Sequence, residues 1–261
     1  MISTAPVMRP WKQTVARAFD GAEGYDGAAK IQAVVAARLA ARIAAESSSA
    51  RRILEVGCGT GLLTAALHRP DSDGLLLATD IAPGMILRCR ARLAGAENLR
   101  FLAMDAERPC LAPGFDLVAS SLAAQWFGDL PGTLARLTGL LSPGGLLAVA
   151  TLSSGTFAEW HAAHAACGLE AVTPRYPTLA ELADLAFPGC TLDLSAEPVI
   201  EPHSDGRAFL HALRAIGAGT PGEGTPLAPG SLRRVLRAFE AGGARVTYEV
   251  ATLLIRRVEQ R

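Results

Sequence analysis

Lysine is almost missing from this 261-residue chain: Lys12 and Lys30 are the two present, against 23 arginines. With Ala and Gly so abundant, that bias reads as GC-rich coding and carries no function by itself. Net charge is missing too. Lys+Arg and Asp+Glu balance at 25 each, whereas a general nucleic-acid binder needs a basic excess to neutralise phosphates. The longest apolar runs are strand-length, far short of the roughly 20 residues of a bilayer span. The opening residues (MISTAPVMRPWKQTVARAF) lack the apolar core of a signal peptide. Five cysteines (58, 89, 110, 167, 190), odd in number and without CxxC spacing, fit reduced thiols better than a disulfide framework or a zinc site. What is present excludes disorder: 50% of residues are hydrophobic and 19% charged. The expectation is a soluble, cytoplasmic globular protein, either one large domain or a domain with an insertion.

Charge is uneven along the chain. Residues 1–51 hold seven cations and four anions, and 205–261 hold nine and five, while 52–204 hold nine and sixteen. Basic ends therefore flank an acidic middle.

From Arg51 to about Leu152, short apolar runs alternate with helical stretches. RRILEVG, GLLLATD, NLRFLAMD, FDLVASSLA and LLAVATL read as five strands; TGLLTAALHR, PGMILRCRARLAG and LPGTLARLTGLL read as helices, with SPGG breaking the last. Such alternation predicts βαβ units and a parallel sheet covered on both faces. Beyond Leu152 the pattern weakens. FAEWHAAHAACGL, TLAELADLAF and GRAFLHALRAIGA look helical, the last with Phe209, Leu210, Leu213 and Ile216 on one side. LDLSAEPVIEPH reads as a sixth strand and RVTYEVATLLIRR as the last, and between them SLRRVLRAFEAGG reads as a helix capped by Ser231. Residues 217–230 are a mobile loop by composition. An Ala-rich helical region precedes the sheet and breaks near Gly21–Gly27.

The informative cluster is Glu55-Val56-Gly57-Cys58-Gly59-Thr60-Gly61, between the first strand and the first helix of the sheet. Three glycines in five residues allow a tight turn and let a ligand approach the main chain, with the next helix's amides facing the same space. Asp80 ends the second strand, where a carboxylate accepts both hydroxyls of an adenosine ribose. Asp105 ends the third, within reach of an adenine amino group. A dinucleotide fingerprint would put its third glycine at Leu62. The spacing here is G-x-G-x-G with Glu55 just before it. A carboxylate there repels a pyrophosphate and suits the cationic amino group of S-adenosylmethionine. That cofactor is favoured over NAD. Any one acid after a strand usually caps a helix, but three at the carboxyl ends of parallel strands point to a binding cleft.

ILEVGCGTGLLT, TDIAPGMI, AMDAE and LSPGGLLAVATL resemble the motifs of the class I SAM-dependent methyltransferases over about residues 50–152. The flanks VARAFDGAEGYDGAAKIQ, SSLAAQWFGDL, LRAIGAGT and TYEVATLLIRR resemble the malonyl-acyl-carrier-protein O-methyltransferases of biotin synthesis, the BioC type, over nearly the whole chain. The departures are an unusually Gly/Pro-rich loop after LRAIGAGT and Ala124 where a bulkier apolar residue is common. The resemblance implies an α/β, Rossmann-like fold with a seven-stranded, mostly parallel sheet. It implies an N-terminal helical lid (1–48), a methyltransferase domain (49–261) and a helical insertion at about 205–243. It also implies SAM-dependent methylation of the free carboxyl of malonyl-acyl carrier protein or malonyl-CoA, in the cytoplasm, with no nucleic acid or membrane partner. A carboxylate is ionised at neutral pH and needs no general base, so positioning and desolvation carry catalysis. The rival readings are a methyltransferase of another small acid, a SAM-fold assembly or binding protein without turnover, and an NAD enzyme.

The implied cofactor contacts are Glu55, Gly57, Cys58, Gly59, Gly61, Asp80, Ile81, Met85, Asp105, Ala106 and Ser121. Tyr25, Gln125 and Trp126 are positioning candidates, with Gln32 a weaker member of the lid. Arg175, Arg214 and Arg17 are candidates to hold the malonyl carboxylate, since a guanidinium pairs well with one. Arg207, Arg233, Arg234 and Arg237 form a candidate docking surface for the acidic carrier protein. His161 and His164 lie three apart without a supporting acid or thiol cluster, and no metal is expected.

Overall fold

The computed structural model describes residues 10–20, 29–70, 72–215 and 227–259. Two helices, α1 (Pro10–Asp20) and α2 (Lys30–Glu46), precede an alternation of β1 (Arg52–Val56), α3 (Leu62–Leu67), β2 (Leu75–Asp80), α4 (Pro83–Arg92) and β3 (Leu99–Ala103). Then come β4 (Phe115–Ser121), a 3-10 turn (Ala124–Trp126), α5 (Leu130–Thr138) and β5 (Leu141–Leu152). The remainder is α6 (Ala158–Ala165), α7 (Leu179–Ala183), β6 (Cys190–Pro202), α8 (Gly206–Ala215), α9 (Pro229–Ala241) and β7 (Arg245–Arg257).

The seven strands form one sheet in the order β3-β2-β1-β4-β5-β7-β6. The first five are mutually parallel, and β7 runs antiparallel to both β5 and β6. The chain reverses its direction of growth between β1 and β4, the kind of switch point at whose carboxyl side open α/β sheets bind ligands. Central strands such as β1 and β4 are mostly buried because helices cover both faces. One face packs Val35, Leu39 and Ile43 of α2, Leu63 of α3, and Phe209, Val235 and Phe239 of α8 and α9. The other packs Leu134 and Leu137 of α5 and Leu182 of α7. Pro198 and Pro202 are tolerated in β6 because it is an edge strand.

Two local expectations are corrected. Ser142-Pro143-Gly144-Gly145 does not separate a helix from the fifth strand. Phe115 pairs with Leu141 and Leu117 with Leu146, so residues 142–145 bulge within β5 opposite a single residue of β4, and Gly144 takes φ 76° there. Nor does Ser231 cap its helix: α9 starts at Pro229, whose missing N–H suits the first turn, and Ala228 is the cap residue. Ile216, most of the Gly/Pro-rich stretch and Tyr25 lie outside the described residues. No described helix is long and apolar enough to cross a membrane.

Candidate active site

A cleft opens at the carboxyl ends of β1, β2, β3 and β4. Its floor is the turn after β1. Gly57, Gly59 and Gly61 take φ of 72°, 53° and 91°, all in the left-handed region that glycine enters at no steric cost. An added Cβ at Gly57 would lie 2.3 Å from Ala123 Cβ, so the floor is wedged against the loop after β4. At Gly59 a Cβ would meet nothing within 4 Å. That space is open for a ligand lying on the main chain. Gly61 is not a cleft residue. It caps α3 and permits the close approach of Cys89, whose Sγ would be 2.7 Å from an added Cβ.

Three carboxylates converge on this floor. Glu55 is 1% exposed, and its Oε2 has no hydrogen-bond partner. Burial pushes its pKa up to about 8, against weaker lowering by hydrogen bonds from Thr64. Asp80 accepts hydrogen bonds from the amides of Gly59 (2.9 Å) and Ala82 (2.8 Å), which fix its rotamer at the end of β2. Its pKa is raised because burial outweighs those bonds. Asp105 also faces the cleft, but its carboxylate is gripped by Lys12 Nζ at 2.6 and 2.7 Å.

Ile81, Met85, Ala106, Ser121, Cys58 and Trp126 line the cleft as well, and so does Gln32 of α2. Contact with Cys89, together with burial, holds the Cys58 thiol protonated. Gln125 does not line the cleft: its Nε2 donates to the Leu122 carbonyl at 2.7 Å, and its Oε1 is buried without a partner. Leu122 itself adopts φ 49°, a strained conformation for a branched side chain, at the cleft wall. Gln125 therefore braces the wall from behind.

Of the arginines expected to hold an acceptor carboxylate, Arg175 and Arg17 lie outside the cleft lining. Arg175 is 85% exposed and pairs with Glu181 at 2.7 Å, beside the Thr178–Glu181 capping box of α7. Arg17 is exposed on α1 and outside the cleft lining. Arg214 lies in α8, its side chain outside the described residues. Arg207, Arg233, Arg234 and Arg237 are all exposed on α8 and α9. Among the described residues no His/Cys/Asp/Glu group is arranged to hold a metal. His161 bonds Thr173 Oγ1 and His164 bonds the Trp160 carbonyl, each at 2.9 Å.

The sequence led to an N-terminal helical lid over 1–48 but did not single out the α1 residues that reach the cleft. Trp11, Lys12 and Phe19 all wall the cleft, with Phe19 edge-on to Trp126 at 5.6 Å. The signal available was a lysine in a chain almost devoid of them.

S-adenosylmethionine fits the residues present. The orphaned Glu55 oxygen offers an acceptor for its amino group, the open space above Gly59 admits its backbone-hugging part, and the fixed Asp80 carboxylate keeps lone pairs for ribose hydroxyls. Sheet order, glycine turn and rim acids together define a class I SAM-dependent methyltransferase. A family profile described as "Methyltransferase domain" matches residues 54–149. The fold is shared with the YcgJ protein of Bacillus subtilis, at TM-score 0.60 and 14% identity over 85% of this chain and 98% of that one. The chain belongs to the malonyl-[acyl-carrier protein] O-methyltransferase family. It is 41% identical over 241 residues, 90% of this chain and 89% of the relative, to the protein of that name from Magnetococcus marinus. It is 47% identical over 245 residues to the biotin biosynthesis bifunctional protein BioCD of Bordetella avium, covering 92% of this chain and 51% of the relative. The chain thus spans about half the length of that bifunctional protein.

Proposed function

We propose that the chain methylates the free carboxylate of a malonyl thioester on acyl carrier protein, an early step of biotin synthesis in the cytoplasm. One observation carries this reading: the likeness to the Magnetococcus enzyme extends over 90% of the chain. It therefore takes in most of the helices flanking the sheet, to which this reading assigns acceptor recognition, and not just the cofactor-binding core.

The chemistry suits the cleft. When bound, the cofactor supplies an electrophilic methyl group on a sulfonium. A malonate carboxylate carries its negative charge at neutral pH, so no side chain has to remove a proton. The described cleft lining includes no histidine. The chain's own work is to orient and to exclude water. Phe19, Leu122, Trp126 and Phe127 give an apolar wall on the acceptor side. Stripping water from the attacking oxygen there strengthens its attraction to a cation.

Arg207, Arg233, Arg234 and Arg237 are read as the docking surface for the acidic carrier. They are exposed on α8 and α9, which lie between β6 and β7. Leu152, the last residue of β5, pairs with Val250, so the start of β7 at Arg245 and the insertion before it lie at the carboxyl rim, on the side of the cleft.

The test is rescue of a biotin auxotroph lacking this methylation step. Growth without biotin is the expected result. A chain that is made in soluble form, binds the cofactor and yet gives no growth would point to another acceptor.

A further inference from the structure

One of the two lysines is buried. Lys12, on α1, is 4% exposed, and its Nζ lies 2.6 Å from Asp105 Oδ1, 2.7 Å from Oδ2 and 3.0 Å from Glu107 Oε1. An ammonium leaves water at this cost only when compensated by such partners. Both acids sit on the segment that follows β3, where Asp105 Oδ1 also accepts from the Glu107 amide. Glu107 Oε1 accepts a further bond from the Gly128 amide, directly after the wall residues Trp126 and Phe127. One ammonium therefore joins α1, the adenine end of the rim and the acceptor-side wall.

The far end of α1 is pinned separately. Asp20 Oδ1 accepts from the Gly84 amide at 2.8 Å, and Arg88 donates to the carbonyls of Phe19 and Asp20 at 3.0 and 2.7 Å. Among the described side chains, the buried apolar contact between the two anchors is Ala16 with Ala82 and Met85, flanked by Phe19 and Ile81, and Phe19 also meets Trp126 edge-on. Polar anchors at both ends of a surface helix contribute to how often it lifts. Since Trp11, Lys12 and Phe19 wall the cleft, a cofactor bound there would lie against this helix.

We propose that Lys12 is a positioning residue that couples cofactor retention to assembly of the acceptor wall. Its ion pairs hold α1 down across the cleft and, through Glu107 and Gly128, fix the loop that carries Trp126 and Phe127. It also neutralises acids that would otherwise repel an anionic acceptor. The inference rests on the cofactor and not on the identity of the acceptor, and the test contains no acceptor.

Native chain, Lys12→Met and Lys12→Arg are compared with S-adenosylhomocysteine as the probe. Release is followed by tryptophan fluorescence, Trp11 and Trp126 being wall residues, and α1 by amide hydrogen exchange. Lys12→Met is expected to release the probe about tenfold faster, the scale of one lost charged contact. It is also expected to lose the protection of α1 that the probe gives the native chain, and Lys12→Arg restores both. A folded Lys12→Met chain with native release and native α1 protection overturns the proposal. Should Lys12→Met fail to fold, a cross-link decides. An added Cβ at Gly84 lies 3.5 Å from Asp20 Cα, within disulfide reach, so Asp20→Cys with Gly84→Cys locks α1 shut when oxidised without ligand. Probe uptake at least tenfold slower, recovered on reduction, supports the proposal. Equal uptake in both states overturns it.

Discussion

Glu55 is an unusual carboxyl group: fully enclosed, with one oxygen unpartnered, and raised by burial from its ordinary 4.5 to about 8. Between those two values the folded chain binds more protons at this site than the unfolded chain. Stability therefore falls as pH rises from about 4.5 to about 8, and the whole penalty is present above that. At about 1.4 kcal/mol per pH unit it amounts to a few kcal/mol. Glu55→Gln, which mimics the neutral acid, is expected to stabilise the ligand-free chain by roughly 2–4 kcal/mol near pH 9 in urea titrations and hardly at all near pH 5. The same variant is expected to bind S-adenosylmethionine at least tenfold more weakly, because the carboxylate proposed to accept the cofactor's amino group is gone. A stability difference that does not vary with pH would contradict this account. Glu55, Asp80 and the glycine turn were legible in the sequence because their chemistry is local: a strand end, a turn and an acid within a few residues. Lys12 was not, since its partner Asp105 lies 93 residues away. The sequence could not rank the arginines, because every guanidinium suits a carboxylate and sequence alone carries no distance; Arg175 pairs with Glu181 six residues on.

Among the elements, the α8–α9 insertion is held by aromatic packing. Phe209 of α8 is 0% exposed and meets Trp160 at 5.3 Å, Phe239 at 5.5 Å and Phe157 at 5.8 Å. Phe209→Ala is expected to cost about 3–5 kcal/mol, the range for truncating a buried aromatic, measured by denaturant unfolding. A cost under about 1 kcal/mol would mean that the insertion collapses onto the gap or folds apart from the sheet. The apolar side of this helix was readable from its 3.6-residue period, as were the five parallel strands from short apolar runs alternating with helical stretches. The bulge in β5 was not readable. Pro and Gly in residues 142–145 are the composition of a chain break, and only pairing with β4 carries the strand through them. The start of α9 was misplaced for a related reason: Ser231 looks like a cap, but Pro229 already supplies a preorganised first turn.

Over the chain as a whole, a net acidic middle stretch (52–204) is flanked by net basic ends. Reversing Arg233 and Arg234 to Glu is expected to raise KM for a carrier-linked malonyl substrate severalfold and to flatten its salt dependence, with KM for malonyl-CoA little changed. Equal effects on both acceptors would remove the docking role. The most direct test of the central claim, that this cleft presents a sulfonium methyl group to an acceptor carboxylate, is mass spectrometry of malonyl-acyl carrier protein after incubation with S-adenosylmethionine and the chain. The account predicts a carrier heavier by one methyl group, held as a base-labile ester, formed one-for-one with S-adenosylhomocysteine. Cofactor binding with an unmodified malonyl carrier would contradict it.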